Sequence, residues 1–194
     1  MAFQTISKNI ILASKSPRRQ NLLKELGFDF EIKTKEIEEI YPPELQREHV
    51  ALFLSELKAS AFIEDLKEND LIITSDTIVC LGDEIIGKPK GREDAIKMLG
   101  KLSGNKHEVI TAVTLLSKEK QHTFFEETAV YFKPLTSPEI EYYVDNYQPF
   151  DKAGSYGIQE WIGYIGIEKI IGSYFNVMGL PVKRVYEELL AFNS

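Results

Sequence analysis

The spacing of apolar and polar positions along this chain switches repeatedly between helical and strand-like periods, and those switches predict its elements. Ile10-Ile11-Leu12 is a short apolar run that ends in Ser14-Lys15-Ser16. Pro17 then opens a helix that stops at Gly27, with Ser16 placed to cap it. Phe28 to Ile32 alternates like a strand, and the acidic connection from Lys35 to Pro43 breaks that pattern. From Gln46 to Leu66 the spacing predicts a helix with Val50, Phe53, Leu54, Leu57 and Ala61 on one face. Leu71 to Thr74 reads as a buried strand, interrupted by Ser75-Asp76-Thr77. Ile78 to Leu81 and Glu84 to Ile86 read as a hairpin around Gly82-Asp83. Arg92 to Lys101 predicts a short helix. Two long alternating strands follow, Glu108 to Ser117 and His122 to Phe132, around the polar turn Lys118-Glu119-Lys120. Pro138 to Asn146 predicts a helix capped by Ser137, Trp161 to Ile171 looks like a strand, and a last helix starts at Pro181 and ends near Phe192. Interleaved helices and strands with several hairpins imply an α/β fold with a mixed sheet. No repeat, low-complexity tract or linker interrupts the chain, so residues 1–194 are expected to form a single domain.

Charge narrows the function. Lys and Arg number 23 against 30 Asp and Glu, a net charge of −7. That balance argues against nucleic acid as a partner, because general DNA or RNA binding needs a basic field. A local basic cleft in an acidic protein can still concentrate a small anion. The one cysteine, Cys80, lies in an apolar run and is expected to be a buried thiol. No apolar run reaches membrane-spanning length and the first residues lack a signal-peptide pattern, so a cytoplasmic protein without membrane contact is expected.

The opening helix carries the first chemical signal. Arg18 and Arg19 fall in its first turn, where the helix dipole is already positive and an exposed cation costs about 0.3–1 kcal/mol. Two arginines beside free helix N–H groups make sense if an anion, phosphate above all, sits between them. The plainer reading is two solvated surface arginines. Asp76 poses a similar choice. An ionised aspartate inside a sheet is expensive unless it is paired, hydrogen-bonded or metal-bound. It is either the cap of a bend between strands or a metal ligand or base acting on water. Glu38 and Glu39 sit in a run that reads equally as a solvated face. Lys88, in the turn Gly87-Lys88-Pro89, and Lys58, after the apolar helix face, are point charges suited to phosphate but also ordinary for a surface. Two loops rich in Gly, Tyr and Ser, Asp151 to Gln159 and Gly172 to Pro181, permit close backbone approach to a ligand. The chain has no GxxxxGK[ST] loop, no GxGxxG and no GxSxG, and His49, His107 and His122 lack zinc-ligand spacing.

Taken in order, Ser14-Lys15-Ser16-Pro17-Arg18-Arg19, Ser75-Asp76-Thr77, Gly87-Lys88-Pro89, Asp151 to Gln159 and Gly172 to Pro181 resemble the Maf family of nucleoside triphosphate pyrophosphatases, over almost the whole chain. The resemblance implies an α/β architecture related to inosine triphosphate pyrophosphatases: an elongated mixed sheet flanked by helices, with two lobes around a cleft. It implies homodimers and cleavage between the α and β phosphates, assisted by a divalent cation, Mg or Mn. It implies Asp76 as proton acceptor, with Ser14, Arg18, Glu39, Lys58, Lys88 and Gln159 in the active cleft; on chemical grounds Glu39 and Asp76 are the expected metal ligands. Arg19, Thr77 and Gln159 match positions of base selection. The Asp151 to Gln159 loop resembles the branch acting on dTTP and UTP, with modified pyrimidine nucleotides as further substrates. Glu160-Trp161 departs from the family pattern, which often has a glycine after the glutamine. An aspartate beside a cation is expected to titrate low. The rival expectation is a non-catalytic nucleotide-binding regulator of septum formation and cell division.

Substitution at the helix tip tests for an anion there. Arg18→Ala should weaken triphosphate binding and leave the ligand-free melting temperature unchanged or higher, since it relieves repulsion from the helix dipole. A clearly lower melting temperature would contradict the anion-site argument.

Overall fold

The computed structural model describes residues 6–192, so the reading of the first residues as free of a signal pattern lies partly outside it. The elements run β1 (Asn9–Leu12), α1 (Pro17–Glu25), β2 (Phe30–Ile32), α2 (Glu48–Ser60), β3 (Asp70–Leu81), β4 (Glu84–Ile86), α3 (Arg92–Leu102), β5 (Lys106–Leu116), β6 (Gln121–Phe132), α4 (Ser137–Tyr147), α5 (Trp161–Gly166), β7 (Ile167–Ile171), α6 (Tyr174–Val177) and α7 (Val182–Phe192). Seven strands form one sheet in the order β2-β1-β3-β5-β6-β7, with β4 paired to β3. The sheet is mixed, as expected. β1 runs parallel to β2 and to β3, with Ile11 opposite Glu31 and Ile72, whereas β3–β4 and β6–β7 are antiparallel. Among the described residues no helix is long and apolar enough to cross a membrane.

The chain divides into two compact units. Of the described residues, 6–76, 111–126 and 179–192 make the first; residues 77–110 and 127–178 make the second. In the first, Ile11 and Ile72 of the sheet pack with Ala59 and Phe62 at the end of α2. In the second, α3, α4 and α5 supply Leu99, Leu102, Ile140, Tyr143 and Ile162 to a core that also holds Val79, Val109, Val130 and Phe132 from the strands.

Three local expectations need correction. β3 is a single strand from Asp70 to Leu81, not two runs separated at Ser75-Asp76-Thr77, so Asp76 caps no bend. Its residues are buried almost throughout, and it lies inside the sheet between β1 and β5. The α4 cap is Thr136 rather than Ser137. Its hydroxyl accepts from the Glu139 backbone N–H, and Glu139 answers the Thr136 N–H at 2.7 Å in a capping box. Trp161 to Ile171 is strand only from Ile167. Its first half is α5, although aromatic, β-branched and glycine residues all disfavour helix. Full burial of Ile162, worth about 1.5–3 kcal/mol, outweighs those local preferences. Gly163 is needed there because a Cβ would lie 1.9 Å from the Ile158 carbonyl oxygen.

His107 on β5 is fully buried, and its Nε2 lies 2.7 Å from the Tyr156 hydroxyl. Burial lowers its pKa from 6.5 to about 4. A histidine held neutral in the fold makes stability fall as pH drops from about 6.5 toward 4, because the unfolded chain takes the proton first. His107→Gln should therefore lose less stability than the parent over that window, by up to about 3 kcal/mol, in urea titrations at each pH. Parallel pH profiles for parent and variant would contradict it.

Candidate active site

In the first unit the chain leaves β1 and turns through Ser14 to Ser16 into α1. The Ser14 hydroxyl accepts from the Ser16 N–H at 3.2 Å, and the Ser14 carbonyl accepts from Gln20 Nε2 at 3.0 Å. Ser16 caps the helix as expected, accepting from the Arg19 N–H at 3.5 Å, and the first turn carries no acid. Arg18 and Arg19 are both partly buried there. Arg19 is tied to two backbone carbonyls. Its Nε donates to the Gly179 carbonyl at 2.8 Å and its Nη1 to the Ser75 carbonyl at 3.1 Å. Arg19 thus fixes the backbone on the N-terminal side of Asp76. Burial lowers its pKa, and the Asp76 charge pulls it back up.

Asp76 is only 7% exposed. Lys58, from the last turn of α2, reaches two carboxylates: its Nζ is 2.5 Å from Asp76 Oδ1 and 2.9 Å from Glu39 Oε1. Lys58 is therefore not a snorkelling surface residue, and Glu39 is the acid of the run whose contact with it is seen. The expectation that Asp76 titrates low is not met by the protein alone. Burial pushes its pKa above the usual aspartate range, against the opposing pull of Lys58 and, more weakly, Arg19. The neighbouring Ser75 hydroxyl is buried and finds no partner among the described residues.

Among the described residues no group of three or more His, Cys, Asp or Glu could hold a metal ion. Two carboxylates from different segments nevertheless converge on one cationic centre, the Lys58 ammonium. Hard oxygen donors of this number suit Mg or Mn, which take one or two carboxylates and complete their shell with water and substrate phosphates. The donor set fits such an ion.

The second unit holds the remaining predicted residues. Thr77 follows Asp76 on β3 and is partly buried, Lys88 is exposed in its turn, and Gln159 is partly exposed at the end of its loop. The structure brings the Lys88 turn and the Gln159 loop together, because the Gly154 N–H donates to the Gly87 carbonyl at 3.0 Å. The loop from Gly172 is built for packing. Ser173 caps α6, and Asn176 Nδ2 donates to the Val109 carbonyl and to Thr128 Oγ1, both at 2.9 Å. Sequence reasoning missed the Gly179 carbonyl that receives Arg19 and the orphaned Ser75 hydroxyl. Neither a backbone carbonyl nor a missing partner leaves a mark in residue type.

A buried acid set against an ammonium, next to a backbone carbonyl held by a guanidinium, is carried on the mixed sheet of this α/β protein. The chain belongs to the Maf family, whose description, Maf-like protein, matches residues 9–192. It is 56% identical over 181 residues to the dTTP/UTP pyrophosphatase of Flavobacterium psychrophilum, covering 93% of each chain. It is 52% identical to the protein of that name from Bacteroides fragilis, covering 93% of this chain and 94% of the relative. Among solved structures, the Ham1 protein of Staphylococcus aureus is similar at 19% identity, with a TM-score of 0.45 over 64% of this chain and 72% of that one.

The role of Lys58 can be checked without substrate. Lys58→Met removes the charge that opposes burial, so the Asp76 carboxyl should titrate higher still in carbon-detected NMR of the ligand-free protein. A downward shift would show that Lys58 does not hold the ionised form.

Proposed function

We propose that this protein is a nucleoside triphosphate pyrophosphatase that hydrolyses dTTP and UTP, and modified pyrimidine nucleotides of the same shape, to the monophosphate and pyrophosphate. Relatives named dTTP/UTP pyrophosphatase, more than half identical over 93% of this chain, support the substrate class. The observation that carries the chemistry is the buried Asp76 with its pKa raised, in reach of Lys58 and Glu39. A carboxyl moved toward neutrality is a better proton acceptor than an ordinary aspartate. A nucleotide sensor would have no use for one, so nothing favours a regulator without activity.

Attack on the α-phosphorus needs an oriented water, relief of charge on the phosphoryl oxygens and a stabilised leaving group. In the proposed mechanism Asp76 accepts the proton of the attacking water. Glu39 and Asp76 would hold a divalent Mg or Mn ion, which supplies charge neutralisation at phosphate and a lower pKa for bound water. Arg18 and the Ser14 to Ser16 turn bind a phosphate group at the start of α1. Lys58, released from its carboxylate partners, offsets charge on the departing pyrophosphate. Arg19 acts through the backbone of Ser75 in addition to its expected part in base selection. In the second unit, Lys88 is assigned to phosphate and Thr77 and Gln159 to the base, since an amide offers both donor and acceptor to a pyrimidine edge. A cytoplasmic homodimer completes the reading; a substrate drawn from the nucleotide pool and the family resemblance support it.

Incubation with dTTP and Mn should release pyrophosphate. Orthophosphate alone would indicate a phosphatase, and no product would favour a binder. Asp76→Asn should abolish nearly all turnover without lowering the melting temperature, because an amide spares the fold the burial of a charge. Retention of more than about a tenth of the rate, a barrier change below ~1.4 kcal/mol, would remove Asp76 from the role of base.

A further inference from the structure

Gln159 ends a loop that is fastened at almost every residue. Lys152 is a charged side chain only 8% exposed, and its Nζ lies 2.8 Å from Asp151 Oδ1 and 3.2 Å from Glu160 Oε1. The other oxygen of Glu160 accepts a short hydrogen bond from the Tyr143 hydroxyl of α4. That same hydroxyl accepts from the Gly157 N–H at 2.9 Å. Tyr143 is fully buried, and its pKa is raised by burial and then by its bond to Glu160, so it stays a donor at any working pH. Gly157 lies directly under the Glu160 carboxyl, where an added Cβ would come within 2.7 Å of Cδ. Beyond it, the Tyr164 hydroxyl donates to the Gln159 carbonyl at 2.7 Å.

Glu160 is therefore the knot of this arrangement. One oxygen neutralises a buried lysine near the start of the loop, and the other, through Tyr143, holds the backbone two residues before Gln159. A side chain that reads a base edge must be held to within a fraction of an ångström, and a loop does not provide that unaided. We propose that Glu160, with Tyr143 and Lys152, is a positioning unit that sets Gln159 for pyrimidine recognition, so that this chain's preference for dTTP and UTP depends on a carboxylate that does not itself touch the nucleotide. This inference rests on the assignment of Gln159 to the base. It predicts graded behaviour: Glu160→Gln keeps an acceptor for Tyr143, whereas Glu160→Ala and Tyr143→Phe release the loop.

Steady-state kinetics of the full-length protein on dTTP, UTP and dGTP, with melting temperatures, separate the outcomes. Glu160→Ala and Tyr143→Phe should raise KM for dTTP and UTP about tenfold, change kcat less than about threefold, and erode discrimination against dGTP. Glu160→Gln, which keeps an acceptor for Tyr143 and loses the charge facing Lys152, should fall between the parent and Glu160→Ala on all three counts. Tyr143→Phe keeps the test open if Glu160→Ala fails to fold, since it deletes one hydroxyl. Gln159→Ala is the control for the underlying assignment. If it erodes discrimination while Glu160→Ala and Tyr143→Phe only lower the melting temperature, the positioning role is overturned and the base assignment stands. A Glu160→Gln variant as impaired as Glu160→Ala overturns it as well. If Gln159→Ala leaves discrimination intact, the base assignment fails and the positioning role with it.

Discussion

A carboxylate buried in a β-strand is the constraint around which the first unit is arranged. Asp76 could not stay in β3 as a charge without compensation. Compensation comes from an ammonium on α2 and a guanidinium on α1. Each opposes burial without cancelling it, so the carboxyl remains above its ordinary pKa. This balance is a liability for folding and an asset for chemistry, as is common where a site stores unfavourable electrostatics.

The two arginines at the tip of α1 divide their labour. Both look alike as cations placed where a helix prefers acids. Arg19 spends two of its donors on the carbonyls of Ser75 and Gly179, which stiffens the approach to Asp76. A fork of planar donors suits this bridging of two backbone oxygens, and a lysine could not replace it. The same economy recurs in the second unit, where the Tyr143 hydroxyl both donates to Glu160 and accepts from Gly157. In each case a polar side chain holds a short stretch of backbone still.

Much of the fold could be read from the chain because its signals are local. Pro17 and Ser16 open α1, the Gly82-Asp83 turn closes the β3–β4 hairpin, and the apolar face from Val50 marks α2. The failures share a physical cause. At Asp76 polar residues suggested a break, but β3, flanked by β1 and β5, runs straight through. At Trp161 strand-forming residues were overruled by the burial of Ile162 and the close approach of Gly163 to Ile158. Local preferences of tenths of a kcal/mol yield to tertiary burial worth several times as much.

The site followed the same division. The motifs around Arg18, Asp76, Lys88 and Gln159 could be picked out by residue type, since charge in an apolar run and glycine beside polar groups are visible in one dimension. The sequence by itself therefore determined which groups are available: an acid in a strand, cations at a helix start, an amide after a glycine loop. Only the tertiary structure decided who meets whom. It brought Lys58 between Glu39 and Asp76, turned Arg19 onto two carbonyls and tied Glu160 to Tyr143 and Lys152. Most of those pairings join residues far apart in the chain, and their energies depend on distance and burial, which no periodicity encodes.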